Sequence, residues 1–252
     1  MHLNVEHDSM GVLERSFELE VAGARVPGLL WSPTDATGPR PLVLMGHGGS
    51  QHKRVDTLLA RARRLVRRLG FTVAAIDAPD HGDRATAEER ARRVQGLQDR
   101  IAGRRPLDDT ARQEGARRAD QACPEWTAAL DALQTVDVVG TDGPVGYWGV
   151  SMGTAIGVPF VAGEPRIRAA VLGLNGAVPG PNSLAEPAKR ITIPVEFVLQ
   201  ADDELVTLEH GIALYDALAS TEKTLHINPG GHLDTPAFEA DSWMAFFARH
   251  LG

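Results

Sequence analysis

The sequence predicts one domain of the α/β class over residues 1–252, in which a mostly parallel sheet is flanked by helices. Residues 42–45 are a short, continuously apolar run and residues 71–77 a largely apolar one, which are typical of strands buried on both faces. A helical pattern lies between them, and strand, helix and strand at this spacing form a parallel crossover unit. A chain of 252 residues with 43% hydrophobic content is long enough to build one substantial core.

The remaining elements follow in chain order. Residues 15–31 alternate apolar and polar side chains around a Gly-Ala turn, which predicts an antiparallel hairpin at one edge of the sheet. In the first crossover helix, Asp56 is expected to cap the start and Gly70 to form the end. Apolar runs and helical periods predict further strands at 144–150, 169–174, 195–200 and 224–227, and helices at 152–162, 208–219 and 243–251.

A long segment interrupts this regular pattern, since no strand is visible between residues 81 and 142. A crossover helix needs only about a dozen residues, and residues 124–138, with proline at their start, supply one. Residues 84–121 are therefore surplus and predict a small helical lid insertion over the site. Between Arg84 and Arg118 there are ten arginines and six acidic residues. This charge is interpreted either as a solvated, salt-bridged face or as a basic lid that attracts an anionic substrate.

Composition excludes several classes of partner. The formal net charge of −7 argues against general nucleic-acid binding, and the apolar runs are too short to span a membrane. The first eleven residues lack the apolar core of a signal peptide. The single cysteine, Cys123, excludes an internal disulfide and fits a reducing compartment. We expect a cytoplasmic protein, and the sequence leaves open whether it is a monomer or a homodimer.

The segment Gly149-Val150-Ser151-Met152-Gly153 matches the pattern G-x-S-x-G between a predicted strand and a predicted helix, the context that this motif requires. A sharp turn from strand to helix holds the serine in a strained conformation, and the flanking glycines leave room for neighbouring elements. The hydroxyl then stands above the carboxyl end of the sheet, at a helix N-terminus that favours developing negative charge. The pattern therefore predicts Ser151 as a nucleophile rather than part of an ordinary glycine-rich turn.

A serine hydroxyl needs a base, because it is almost wholly protonated at neutral pH. Of the nine histidines, His232 fits best, since it follows the last predicted strand and completes the chain order serine, acid, histidine. The acid should follow strand 195–200, where Asp202, Asp203 and Glu204 are adjacent. Asp203 is preferred, because Val206 can tuck back under its turn, and Asp202 is the alternative.

Acyl transfer also requires hydrogen-bond donors for the oxyanion. The amide of Met152, directly after the nucleophile, is one candidate. The other should come from the glycine-rich loop after the first central strand, where Gly49 is preferred and Gly48 and Ser50 are alternatives. That loop lacks the G-x-x-x-x-G-K-[ST] pattern of a phosphate-binding loop.

Other polar residues are interpreted as structural. His47 is expected to support the glycine-rich loop. Asp77, Asp80, His81 and Asp83 could ligate a metal, but they lie within one turn and no second cluster completes a coordination shell, so no metal is expected. Cys123 is expected to be a small buried residue.

These residues resemble the α/β-hydrolase superfamily, and more narrowly its dienelactone-hydrolase-like serine carboxylesterases. The likeness spans nearly the whole chain, from the leading hairpin to the final Gly-Gly-His. It implies an α/β-hydrolase fold with an eight-stranded, mostly parallel sheet, no cofactor, and a triad of Ser151, Asp203 and His232. Dienelactone hydrolase itself uses a cysteine, whereas this chain has Ser151 at the equivalent turn, which favours an ordinary serine esterase.

The predicted activity is cleavage of a small-molecule carboxylic ester through an acyl-enzyme intermediate. The same groups could cleave a thioester, an amide or a C–C bond, or act as a cofactor-free perhydrolase. A non-catalytic ligand-binding protein of the same fold is the alternative from a different class.

Overall fold

Nine strands and seven α-helices make up the computed structural model, which describes residues 1–252. None of these helices combines the length and the apolarity that a membrane-spanning helix needs. The strands are β1 (Leu3–Ser9), β2 (Val12–Val21), β3 (Ala24–Pro33), β4 (Leu42–Gly46), β5 (Thr72–Ile76), β6 (Val145–Gly149), β7 (Ile167–Gly173), β8 (Val195–Gln200) and β9 (Lys223–Asn228). The helices are α1 (Asp56–Leu69), α2 (Ala87–Ala102), α3 (Asp109–Gln134), α4 (Met152–Gly163), α5 (Ala185–Ala188), α6 (Leu208–Ala217) and α7 (Glu239–Leu251).

All nine strands form one sheet in the order β1-β2-β3-β5-β4-β6-β7-β8-β9. The strands from β5 to β9 in this order pair in parallel, whereas β1, β2 and β3 pair antiparallel. Every residue of β4, β5, β6 and β8 is buried, as expected of strands with helices on both faces. The predicted fold class, a mostly parallel sheet flanked by helices, is confirmed.

The N-terminal edge of the sheet differs from the prediction. Strands β2 and β3 form the predicted hairpin, with Val21 opposite Ala24 beside the turn. However, β1 pairs along the outer side of β2, so the hairpin is not the edge and the sheet has nine strands rather than eight. Because β1 is almost wholly exposed and only Leu3 and Val5 in it are apolar, its sequence carries too short an alternation to predict a strand.

Two apolar layers cover the faces of the sheet. On one face, α3 and α4 contribute Trp126, Leu130 and Phe160 to the larger core cluster. On the other face, α1 and α7 contribute Leu65 and Trp243 to the second cluster. The edge at which β6 and β8 end is thereby left clear for loops, which is where ligands bind in open α/β sheets.

The sequence predicts the end of helix α1 correctly but not the residue that caps its start. Asp56 is not the capping residue: Val55 holds that position with extended backbone and no side-chain cap, and Asp56 lies in the first turn. A carboxylate there still favours the positive end of the helix dipole. At the other end Gly70 has a φ of 69°, and its N–H donates to the Val66 carbonyl, as predicted.

The surplus segment consists of α2 and the first half of α3. Helix α2 begins with a capping box between Thr86 and Glu89, and it has no buried residue. The boundary expected between the insertion and a crossover helix starting at Pro124 is wrong, because α3 runs without interruption from Asp109 to Gln134. The buried residues of α3 begin only at Ala119. The second half of the helix therefore packs in the core, whereas the first half lies outside it.

A buried ion pair connects the start of the surplus segment to α3. The two terminal nitrogens of Arg84 donate to the two carboxylate oxygens of Glu125 at 2.7 and 2.8 Å. The side chains are 9% and 2% exposed. A bidentate arginine–carboxylate pair forms two strong, directional hydrogen bonds. Because both groups are buried, removal of either one leaves the charge of the other without compensation.

We expect Glu125→Ala to lower the free energy of unfolding by about 3–5 kcal/mol, because it leaves the Arg84 guanidinium buried without a carboxylate. Urea denaturation measures the change. Glu186→Ala, which removes an exposed pair with Lys189, is the matched control and should cost less than about 1 kcal/mol. Similar losses in the two variants would contradict the role assigned to the buried pair.

Candidate active site

Ser151 lies at the sharp turn between the end of β6 and the start of α4. Its φ of 58° and ψ of −116° place a non-glycine residue in a strained region of backbone conformation. Two glycines make the turn sterically accessible. A Cβ at Gly149 would lie 2.7 Å from the Gly153 carbonyl oxygen, and a Cβ at Gly153 would lie 2.6 Å from the Gly46 carbonyl oxygen.

Hydrogen bonds from the next strand hold this turn in place. The Ser151 N–H donates to the Gly173 carbonyl at 2.9 Å, and the Asn175 side-chain amide donates to the Ser151 carbonyl at 3.0 Å. The hydroxyl of Thr154, which is fully buried, lies 2.8 Å from the Gly149 carbonyl and accepts the Gly173 N–H at 2.8 Å. Sequence analysis did not identify Thr154 or Asn175, since neither belongs to the five-residue motif.

The structure brings Ser151, His232 and Asp203 together in one hydrogen-bonded line. The Ser151 hydroxyl is 2.8 Å from His232 Nε2, and His232 Nδ1 is 2.8 Å from Asp203 Oδ2. With the carboxylate accepting from Nδ1–H, Nε2 is free to accept the serine proton. The His232 and Asp203 side chains are 5% and 2% exposed, so water competes little for these contacts.

The turn after β8 selects Asp203 over its neighbour. Asp203 Oδ1 accepts the N–H groups of Leu205 and Val206 at 2.8 and 2.9 Å, which leaves Oδ2 directed at His232. Asp202 is exposed, and its carboxylate accepts the Gly230 N–H at 3.3 Å instead. The alternative acid therefore does not contact the imidazole.

Glu204 has a part that the sequence did not reveal. Its carboxylate accepts the backbone N–H of His232 at 2.9 Å. A Cβ at Gly231 would lie 2.4 Å from Glu204 Oε1, so the residue before the histidine has to be small for this contact to form. The carboxylate thus fixes the backbone that carries the imidazole, while Asp203 fixes the ring.

The two residues predicted to bind an oxyanion, Gly49 and Met152, both line the cavity that contains Ser151. Met152 is the first residue of α4, and an N–H in the first turn has no acceptor within the helix. The Gly48 N–H donates to the Gln51 side chain at 3.2 Å and is thereby occupied. A Cβ built on Gly49 would lie 4.0 Å from Met152 Cβ, so the two residues face each other closely.

His47 connects the glycine-rich loop to the turn after β5. Its Nδ1 is 2.9 Å from the Gly48 carbonyl, and its Nε2 accepts the Ala78 N–H at 3.0 Å. Burial lowers the pKa of His47 to about 4, so the ring is neutral at physiological pH. These contacts support a structural interpretation of His47, because both ring nitrogens are already engaged by the backbone.

The aspartate-rich turn after β5 is organised by a lysine that sequence analysis did not identify. The Lys53 ammonium group lies 2.6 Å from carboxylate oxygens of both Asp77 and Asp83. Asp77 also accepts the N–H groups of Lys53 and Asp83. Asp77 and Asp83, two of the three carboxylates that could have ligated a metal, are therefore paired with a buried cation, which explains why they lie together in this turn.

One cluster has the composition of a cation site, and it lies elsewhere. Single ligand atoms of Glu196, His226 and Glu239 are within 4.8 Å of one another. His226 Nδ1 is 2.9 Å from Glu239, and Asn228 donates to the same carboxylate at 2.8 Å. Glu196 lies near the start of β8, whereas Asp203 follows the end of that strand, so this cluster takes no part in the geometry around Ser151.

The cavity beside Ser151 has a volume of about 720 Å³. The glycine-rich loop, the start of α4 and the loop after β7 form its floor and one side, and α2 and α3 form the opposite wall. The surplus segment is connected to the floor, because the Ser50 hydroxyl donates to the Arg93 carbonyl of α2 at 2.9 Å. This volume accommodates a small-molecule ligand.

Comparison with known proteins gives matches among solved structures. No protein-family model matches the chain, and no curated protein does. A PEG-bound cold-adapted esterase from an Arctic intertidal metagenomic library is 35% identical, with 100% of both chains covered and a TM-score of 0.82. An acetyl xylan esterase from Paenibacillus sp. R4 is 15% identical over 99% of this chain and 88% of that one, with a TM-score of 0.75. Acetyl Xylan Esterase 1 from Thermoanaerobacterium sp. JW/SL YS485 is 18% identical over 98% and 87%, with a TM-score of 0.71.

The Arctic intertidal esterase shares enough sequence, across the whole length of both chains, to indicate common membership of a family. The two acetyl xylan esterases are too distant in sequence to show more than the same fold. The narrower resemblance to dienelactone-hydrolase-like enzymes stays a prediction. The chain belongs to the esterases of the α/β-hydrolase superfamily.

Proposed function

We propose that this esterase cleaves small-molecule carboxylic esters through an acyl-enzyme intermediate on Ser151. The observation that carries the proposal is the line of contacts from Ser151 Oγ to His232 Nε2 and from His232 Nδ1 to Asp203, with 2.8 Å at each step. In this assignment Ser151 is the nucleophile, His232 the general base and acid, and Asp203 the group that orients the imidazole. No residue in this line requires a cofactor.

In the first half of the reaction, Ser151 Oγ attacks the ester carbonyl carbon while its proton moves to His232 Nε2. The carbonyl oxygen becomes an oxyanion, which the amides of Gly49 and Met152 stabilise by donating hydrogen bonds. When the tetrahedral intermediate collapses, the C–O bond to the alcohol breaks and Nε2–H protonates the leaving oxygen. The products of this half are the free alcohol and an ester of Ser151.

In the second half, His232 Nε2 takes a proton from water as the water oxygen attacks the acyl carbon. The same two amides receive the negative charge that develops on the carbonyl oxygen. Collapse of this intermediate breaks the bond to Ser151 Oγ, which recovers its proton from Nε2, and releases the carboxylic acid. Asp203 stabilises the imidazolium in both halves, and its two backbone N–H contacts keep it from rotating away.

We expect Ser151→Ala to reduce kcat for a short p-nitrophenyl ester by at least about 10⁴-fold, because no other group can form the acyl-enzyme. A fluorophosphonate probe should label the wild-type protein at Ser151 and leave the variant unlabelled. Circular dichroism should show an unchanged fold. Retention of more than a few per cent of the activity by a folded variant would contradict the nucleophile assignment, and absence of labelling in the wild type would favour a non-catalytic ligand-binding protein.

Asp203→Asn should lower kcat by roughly 10⁴-fold, because an amide at this position no longer holds the productive tautomer of His232. Asp202→Asn is the matched control, and its kcat should stay within about threefold of the wild type, since Asp202 does not contact the ring. Steady-state kinetics on the same ester measures both. The reverse order of effects would transfer the orienting role to Asp202.

Two expectations about the setting of the reaction are part of this proposal. A cytoplasmic location rests on the single cysteine, Cys123, which cannot form an internal disulfide and fits a reducing compartment. Burial raises the pKa of this thiol to about 11, so that it is poorly reactive. A homodimer stays one of the two oligomeric states that the sequence leaves open.

A further inference from the structure

We propose that the cavity beside Ser151 binds esters carrying a negatively charged carboxylate group, and that Arg118 is the residue that recognises this carboxylate. The inference rests on the proposed function and adds a substrate class to it. Of the arginines in the surplus segment, which could together attract an anionic substrate, the inference assigns recognition to Arg118 alone.

Arg118 is the arginine of this segment that combines partial burial with the lack of a hydrogen-bond or salt-bridge partner. Arg92 and Arg105 lack such a partner too, but they are exposed. Arg118 lies on α3, lines the same cavity as Ser151, and its buried Nε has no hydrogen-bond partner. No carboxylate oxygen lies within 4.0 Å of it, since it takes part in none of the salt bridges. By contrast Arg84 is paired with Glu125, Arg100 with Asp108 and Arg112 with Asp109, and Arg90 donates to two backbone carbonyls.

A half-buried guanidinium without a hydrogen-bonded partner is costly, because it has lost water and the attraction of Asp80 and Glu114 offsets this loss only in part. Burial is the main cause that lowers the pKa of Arg118 from its usual value. An arginine nevertheless keeps its charge at neutral pH, since its ordinary pKa lies so far above that range. The cost is relieved if a negatively charged ligand group enters the cavity and accepts hydrogen bonds from it.

The acidic residues nearby do not fill this role. Asp80 is 48% exposed, and its carboxylate lies 4.0 Å from both Arg93 and Arg117, which therefore share it. Glu114 also lines the cavity but is exposed and does not reach Arg118 within salt-bridge distance. Asp80, Glu114 and Asp120 line the cavity as well, but none of their carboxylates lies within 4.0 Å of the Arg118 guanidinium, so Arg118 has no direct ion pair.

The position of Arg118 suits recognition of substrate rather than chemistry. Its cavity also contains Ser151, Gly49 and Met152, so a ligand held by Arg118 lies in the same enclosed space as the nucleophile. The planar guanidinium presents parallel N–H donors that match the two oxygens of a carboxylate. A charged group on either the acyl or the alcohol side of the ester could make this contact.

Two matched pairs of substrates test the inference and locate the charge. Mono-p-nitrophenyl adipate against p-nitrophenyl hexanoate places the carboxylate on the acyl side. 4-Acetoxybenzoate against its methyl ester places it on the alcohol side. For Arg118→Gln, we expect kcat/KM to fall by about 10- to 100-fold for the charged member of at least one pair, and far less for its neutral partner. Arg118→Lys should recover part of the loss, because it keeps the charge without the planar fork.

Arg92→Gln is the control for a general loss of positive charge, since Arg92 is exposed on α2 and does not line the cavity. It should leave the ratio between charged and neutral substrates unchanged. Equal losses for charged and neutral esters in Arg118→Gln, or equal effects of the Arg92 and Arg118 variants, would overturn the inference and assign Arg118 to scaffold. Thermal denaturation of each variant separates such a loss from unfolding.

A binding measurement separates failure of this inference from failure of the proposed function. Calorimetry with monomethyl adipate and with 4-acetoxybenzoate on Ser151→Ala, with and without Arg118→Gln, measures the contact without turnover. Weaker binding of either ligand by about tenfold or more in the double variant supports the anion site even if the nucleophile assignment fails. Equal binding of monomethyl adipate and of 4-acetoxybenzoate to the two proteins overturns the anion site on both sides of the ester and leaves the assignment of Ser151 intact.

Discussion

The backbone conformation of Ser151 is the constraint on which the rest of the site depends. A positive φ at a non-glycine residue is unfavourable by itself, so the surrounding structure has to impose it. Three supports do so: the N–H contact to Gly173, the amide of Asn175 and the fully buried hydroxyl of Thr154. Without them the turn would relax, and the hydroxyl would no longer meet an imidazole that arrives from a loop 81 residues further along the chain.

The parallel order of the sheet explains why such distant residues meet. Ser151 follows β6, Asp203 follows β8 and His232 follows β9, and these strands run in the same direction. Their carboxyl ends therefore lie at one edge, where each loop contributes one side chain. For the same reason the chain order of the motifs was enough to predict the three residues, although it gave no distance between them.

Sequence patterns predicted those elements of the fold that depend on neighbouring residues in the chain. The glycine at the end of α1 and the buried strands at the centre could be predicted, because helix ends and continuous apolar runs have their own signatures. The polar strand β1 could not, since it is held by pairing with β2, by packing of Leu3 and by side-chain contacts to distant residues. Nor could the uninterrupted α3, because proline at position 124 signals a helix start and only packing of residues such as Trp126 overrides that signal.

Most of the residues missed at the site act across a long separation in sequence. Lys53 pairs with Asp77 and Asp83, and Glu204 accepts the N–H of His232. Arg118 has a buried Nε with no hydrogen-bond partner, which only the folded chain shows. None of these relations has a spacing rule. The functional motifs were predictable because chemistry fixes their local context, whereas their supports depend on which loops happen to meet in the folded chain.

The continuity of α3 also limits how substrates enter and leave. A lid joined to its domain by two flexible connections can move as a unit. Here one wall of the cavity is the first half of α3, and the second half of the same helix is packed in the core. The core packing of α3 therefore fixes the position of Arg118 relative to the floor of the cavity beside Ser151. Helix α2 buries no side chain and is joined to α3 by only a short connection, so it is the part of this wall that the core restrains least.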